Sequence, residues 1–193
     1  LVSVAGARAN LEAEAQNKSF ETCRQDANTA WNEALGVVAL GAGDTTSGND
    51  SNARKLYTAL YHAQMAPTHV HDFDGKYRGM DGAVHQLQHP ATDVYMSDMS
   101  IWDIHRTELP LLNLLQPRQG LAVVSSLALM ASEGGDIPRW PLADVYTGCM
   151  IGNHANAIVL DTAVKAGLAS LPEQTWHGLL NAMVAAASNA SEP

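Results

Sequence analysis

Residues 100–112 read SIWDIHRTELPLL. Their large apolar residues predict a helix, yet Trp102, Asp103, His105, Arg106 and Glu108 crowd into one short stretch and Pro110 interrupts it. Working outward, three- and four-residue apolar spacing recurs along most of the chain. Ser19 is the expected N-cap of a helix carrying Phe20, Cys23, Ala27, Trp31 and Leu35, with Gly36 suited to its C′ position. Ser51 opens another with Leu56 and Leu60, stopped at Pro67. Further helices are expected at about 100–115, 118–133, 147–166 (Thr147 as N-cap) and 172–188, with Gly134, Gly135 and Gly167 marking ends. VVAL (37–40) predicts a short strand, and 41–50 a loop of turn residues. The stretch 69–86 has no helical period; its Asp74-Gly75 pair predicts a hairpin or structured loop. The fold class is mainly α.

A chain of 193 residues, 46% hydrophobic and 16% charged, suffices for one domain with a real core. Its net charge of −9 argues against a nucleic-acid partner, since phosphate binding needs clustered Lys and Arg. No apolar run approaches the ~18 residues that would suggest a membrane span. Leu1 reads as a processed or fragment start. Cys23 and Cys149 could be a disulfide or two thiols. Sequons at Asn17, Asn49 and Asn189 lean towards a secreted glycoprotein, with glycans expected at Asn17 and Asn49.

HVHDFDG (69–75) offers His69, His71, Asp72 and Asp74, all zinc-type ligands, but no HExxH or CxxC supplies the rest of a shell. A loop whose polar side chains bond to backbone is the plainer reading. Residues 72–82, with Asp72, Asp74 and Asp81, lack the twelfth-position Glu of a calcium loop. No nucleophile elbow or phosphate loop is present. Trp102 beside Asp103 is the pairing with which proteins hold sugars: the indole covers the apolar face and the acid takes hydroxyl hydrogen bonds. A buried Trp with Asp103 favoured near a helix N-terminus fits the residues as well. Trp140 and Tyr146, on a Pro-stiffened loop, would be a second carbohydrate-facing wall or an aromatic plug over helix ends.

LYTALYHAQMAP (56–67), DFDGKYRGMDGAVH (72–85), SIWDIHRTELPLLNLLQP (100–117), GGDIPRWPL (134–142) and YTGCMIGNHA (146–155), led by ARANLEAE (7–14), occur in the order seen in glycoside hydrolase family 92. The chain resembles these calcium-dependent exo-α-mannosidases from about residue 5 to 168. The resemblance implies an N-terminal β-sandwich, linker helices and an (α/α)6 barrel. Residues 1–36 would be linker helices and 37–193 the first, incomplete part of the barrel. It implies that Trp102 and Asp103 receive the terminal mannose, supported by Arg106 and His105; Trp140 joins them as a substrate-binding candidate on the residue reading above. The family's E-G-N, N-E-P and N-D-D motifs, which carry the catalytic acid and base and most calcium contacts, do not occur here. Val145-Tyr146-Thr147 stands where the family commonly has Asn-Glu-Thr. The expectation is therefore part of a secreted or extracellular α-mannosidase acting on mannose-containing glycans. Its calcium would be held mostly by residues elsewhere, the remaining polypeptide or other chains would complete the barrel, and the chain alone would be inactive. A non-catalytic structural or glycan-contacting module of an extracellular assembly is the alternative.

Overall fold

The computed structural model describes residues 2–41, 51–89 and 93–188, arranged as two compact units, 11–66 and 1–10 with 67–193. Eight α-helices and three two-stranded antiparallel pairs occur among the described residues. The mainly helical class expected from periodicity is what the chain adopts. Asn49, Asn189 and nearly all of the 41–50 loop lie outside the described residues.

The 11–66 unit holds α2 (Phe20–Leu35) and α3 (Ser51–Ala63), after the end of α1 (Val4–Ala15). Ser19 caps α2 as expected, its hydroxyl accepting from the Thr22 amide at 3.1 Å. Such a cap contributes about 1 kcal/mol. Gly36 ends α2 at φ −67, so its left-handed freedom goes unused. Residues 37–40 form no strand: Val37 and Val38 continue a turn, with the Tyr57 hydroxyl donating to the Val38 carbonyl. A strand needs a ladder partner, and this segment has none among the described residues. Trp31 packs on Tyr61 with ring centroids 4.4 Å apart.

In the other unit, α6 (Pro117–Gly134) contacts α5 (Glu108–Leu115), α7 (Ala155–Ala166) and α8 (Glu173–Ser188). Val123, Val124, Leu127 and Met130 form its fully buried stripe at three- and four-residue spacing, against Leu109, Leu112, Ile158 and Leu179. Pro117 sits at the first helical position and Gly135 closes α6 at φ +85. Asn113 of α5 donates to Asp161 (2.7 Å) and Thr162 (2.9 Å) of α7. α6 passes so close to Asn113 that a Cβ on Gly120 would lie 1.7 Å from its side-chain oxygen.

Two helix expectations need correction. The predicted 100–115 helix is split into α4 (Ile101–Ile104) and α5 by a turn at 105–107. Pro110 lacks an N–H and would clash with the residue 106 carbonyl in a continuous helix, but fits the first turn of a new one. The predicted 147–166 helix starts only at Ala155. Gly148, Met150 and Gly152 take φ of 67, 68 and 79, a left-handed backbone that cannot continue an α-helix. Thr147 is not a cap: its hydroxyl donates to the Trp140 carbonyl and accepts from the Cys149 amide, beside the paired strands β5 (Pro141–Leu142) and β6 (Val145–Tyr146).

The hairpin-like loop is present as β2 (Lys76–Arg78) and β3 (Val84–Gln86), but it reverses at 79–83. Asp74-Gly75 makes a separate tight turn, Gly75 at φ 81 and its amide donating to the Asp72 carbonyl. Glu133, on the last turn of α6, holds this excursion. It accepts from the Tyr77 hydroxyl (2.7 Å), the Tyr95 hydroxyl (3.3 Å) and the Met80 amide (3.2 Å). Burial, reinforced by Glu133, raises the affinity of both phenols for their protons, so they act as donors.

Candidate functional site

β1 (Thr68–His69) pairs with β4 (Met96–Ser97), and Asp98 follows directly. At φ 62, outside the comfortable region for a non-glycine residue, its carboxylate accepts from the Ala143 amide (3.0 Å) and the Thr68 hydroxyl. The Met99 amide donates to the Pro141 carbonyl. The β5–β6 hairpin is thus seated on the residues that lead into α4. Ala143 and Met150 share the left-handed backbone, so strain gathers around this segment, as it does at functional sites.

On α4, Trp102 leaves 49% of its surface open, and Asp103 is exposed beside it. Within the described residues this indole is open rather than buried. The Ser100 hydroxyl donates to the Asp103 carboxylate, which keeps free lone pairs towards solvent. His105 donates its Nδ1–H to the carbonyls of Trp102 (2.8 Å) and Ile101 (3.2 Å). Arg106 is exposed on the following turn. Trp102, Asp103 and Arg106 thus occupy one short bend, presenting an aromatic face, an acceptor and a cationic donor. Trp140 is half-buried; its indole Nε1 has no hydrogen-bond partner. It reaches the bend only through the backbone bond at Pro141, and among the described residues no ring contact or hydrogen bond joins it to Trp102, Asp103 or Arg106.

Two features escaped the sequence reading. His154, one residue before α7, lies flat on His105, with centroids 4.4 Å apart and planes 16° apart. Glu108 has a buried, unpartnered Oε1, and burial pushes its pKa up to about 7. The signal for Glu108 was its place at the head of an amphipathic helix, directly before Leu109; for His154 there was only its position after a Gly-Asn pair.

The His69–Asp74 cluster does not assemble as a metal shell. Its imidazoles stack at 5.6 Å, and His71 Nδ1 donates to the Asp72 carbonyl. Asp72, 2% exposed, accepts from the Val2 amide and the Asn10 amide side chain, while Asp74 pairs with Lys76 at 2.6 Å. The carboxylates are occupied by protein donors. No group of three or more His, Cys, Asp or Glu that could hold a metal occurs among the described residues, so these residues do not fit a resident calcium. Cys23 and Cys149 are free thiols. Asn17 is exposed in a turn at φ 65, accessible to modification. No helix among the described residues is long and apolar enough to cross a membrane.

The family profile described as Glycosyl hydrolase family 92 catalytic domain matches residues 6–193. Among solved structures, the chain is similar to the family GH92 alpha-mannosidase BT3965 from Bacteroides thetaiotaomicron in complex with mannoimidazole. The identity is 26% and the TM-score 0.80, over 92% of this chain and 22% of that one. It is similar too to the family GH92 inverting mannosidase BT2199 from Bacteroides thetaiotaomicron VPI-5482, at 27% identity and TM-score 0.80, covering 94% and 23%. The gh92 family glycosyl hydrolase ccman5 matches at 26% identity and TM-score 0.65, covering 85% and 23%. No curated protein sequence matches. The chain spans under a quarter of the length of these structural relatives.

Proposed function

Because the chain belongs to glycosyl hydrolase family 92, we propose that it forms the sugar-receiving part of an α-mannosidase that releases terminal α-linked mannose from glycans. The observation that carries this reading is the open indole of Trp102 beside Asp103 on the α4 bend. A pyranose would lay its C–H face on the indole while its hydroxyls donate to Asp103 and accept from Arg106, with Trp140 offering a second wall. Two of the similar structures are described as mannosidases, one of them inverting. Inverting hydrolysis needs a protonated carboxyl at the leaving oxygen and a carboxylate that activates water on the opposite face.

No E-G-N, N-E-P or N-D-D segment occurs in the 193 residues, so the acid and base are assigned to polypeptide beyond them, as are the calcium contacts. Residues 1–36 act as linker helices, and 37–193 form the opening part of the barrel. The enzyme works outside the cell, with Asn17 and Asn49 glycosylated.

The test is an assay on an α-mannoside, with calcium and with chelator, of a polypeptide carrying this chain within a complete catalytic domain. Asp103→Ala should lower kcat/KM roughly 10–100-fold, the effect of a lost charged hydrogen bond of about 1.5–3 kcal/mol. Normal kinetics in that variant would remove the assignment. An inert complete polypeptide that still binds mannose would favour the non-catalytic glycan-contacting module.

A further inference from the structure

The turn at 105–107 breaks the helix between α4 and α5, so Trp102 and Asp103, on a helix of four residues, and Arg106, on the turn itself, are held by few backbone bonds of their own. Something outside it must fix its direction. His105 Nδ1 faces two carbonyls, which can only accept, so that nitrogen holds a proton and the ring is tied to the α4 backbone. The other contact of the ring is His154, from the loop that precedes α7.

That loop is shaped around the His154 ring. A Cβ on Gly152 would lie 2.8 Å from His154 Nε2, and Gly152 adopts φ +79, so glycine satisfies both the close approach and the backbone. Across the cleft that His154 lines stand Asp136 and Arg139; on the bend itself stand His105 and Arg106.

We propose that His154 is a positioning residue: its ring, stacked on His105, fixes the α4–α5 bend and so the direction in which Trp102, Asp103 and Arg106 are presented. This deepens the mannoside reading and rests on it only for the identity of the ligand. Partial burial, then His105 and Arg106, lower the affinity of His154 for a proton, so its ring is neutral at neutral pH. Acid places a cation against His105 and Arg106, with Asp136 and Arg139, of opposite charge, both lining the cleft, and loosens the stack.

The experiment is NMR on the 193-residue chain, at a concentration where sedimentation shows it monomeric, with the Trp102 indole N–H assigned through Trp102→Phe. In the native chain that resonance should shift with pH at a midpoint below the ordinary histidine value of about 6.5. His154→Ala should displace it at every pH and raise amide exchange at 101–107 by about tenfold or more, a loss of local stability near 1.4 kcal/mol. The ring signals of Tyr77 and Tyr95 should stay in place. His154→Phe keeps a stacking ring without a titrating group. It should restore the native Trp102 resonance and remove the part of its acid shift that belongs to His154, and it carries the test if the alanine variant fails to fold. An unmoved Trp102 resonance in His154→Ala, or a His154→Phe chain no nearer to native than His154→Ala, would overturn the proposal. Methyl α-mannoside is titrated in parallel. Weakened binding in His154→Ala, recovered in His154→Phe, supports both assignments. Absence of binding to the native chain, with the Trp102 response intact, sinks the sugar reading and leaves the positioning role standing.

Discussion

Glu108 shows how one side chain can make stability depend on pH. Its carboxyl is held at about 7 by burial against an ordinary value of 4.5, so the folded chain binds its proton more tightly than the unfolded chain does. Stability from this group is complete below about pH 4.5 and falls as pH rises through 7. The full shift would exceed 3 kcal/mol; partial exposure reduces the expectation to on the order of 2 kcal/mol. Glu108→Gln should therefore raise the melting temperature at pH 8 and leave it nearly unchanged at pH 4. Equal effects at both pH values in thermal unfolding would show that burial does not hold the proton. Gly120 is the second sensitive position. Its missing Cβ admits Asn113, so Gly120→Ala must displace the side chain that joins α5 to α7. Overpacking of this kind costs about 1–3 kcal/mol. The loss should shrink in an Asn113→Ala background, and a double-mutant cycle by denaturant unfolding measures it.

At the scale of elements, the hairpin of β2 and β3 depends on a carboxylate that the local sequence does not advertise. Glu133→Ala should release it, leaving the Tyr77 and Tyr95 hydroxyls and the Met80 amide without an acceptor. Hydrogen exchange at 79–83 should accelerate while the buried face of α6 stays protected; uniform acceleration throughout would mean that Glu133 supports the whole unit instead. The same contrast separates what was legible from what was not. Helix α6 could be read from its apolar stripe and its terminal Pro and Gly, because those signals are local. The Ser19 cap was legible for the same reason. The break at 105–107 was half-legible: Pro110 announced an interruption but not its place. The late start of α7 was hidden, since Met150 in a left-handed conformation leaves no mark in composition. Trp102 and Asp103 could be singled out as a sugar-type pair, and the structure settles their exposure. The His105–His154 stack joins residues 49 positions apart (154 less 105), beyond the reach of any local pattern.

For the whole molecule, helix faces that find no neighbour among the described residues stand out. Leu114 on α5, Leu160 and Val164 on α7, and Leu180 and Val184 on α8 are all exposed, Val164 to 84%. Such faces are expected to pack against further polypeptide. The isolated chain should therefore bind a hydrophobic dye and self-associate as its concentration rises, and sedimentation velocity checks this. A monomer at all concentrations would show that the faces need no cover. On the proposed function the same chain should not turn over an α-mannoside, with or without calcium, because that proposal assigns the acid and base to other segments. Turnover by it would refute the assignment of acid and base to other segments. Asp98, finally, sets a sequence of events in folding. Within each of the helices α5 to α8 the backbone bonds join residues four positions apart, and local bonds of this kind form quickly. The Asp98 bonds must instead bring Thr68 and Ala143 to one carboxylate, closing the chain on both sides of it. Those bonds span 30 and 45 positions, so their entropy of closure must be met before they form. The helical signal should thus rise first and the environment of Trp102 settle last, so a newly made chain would be helical before its proposed sugar face was set.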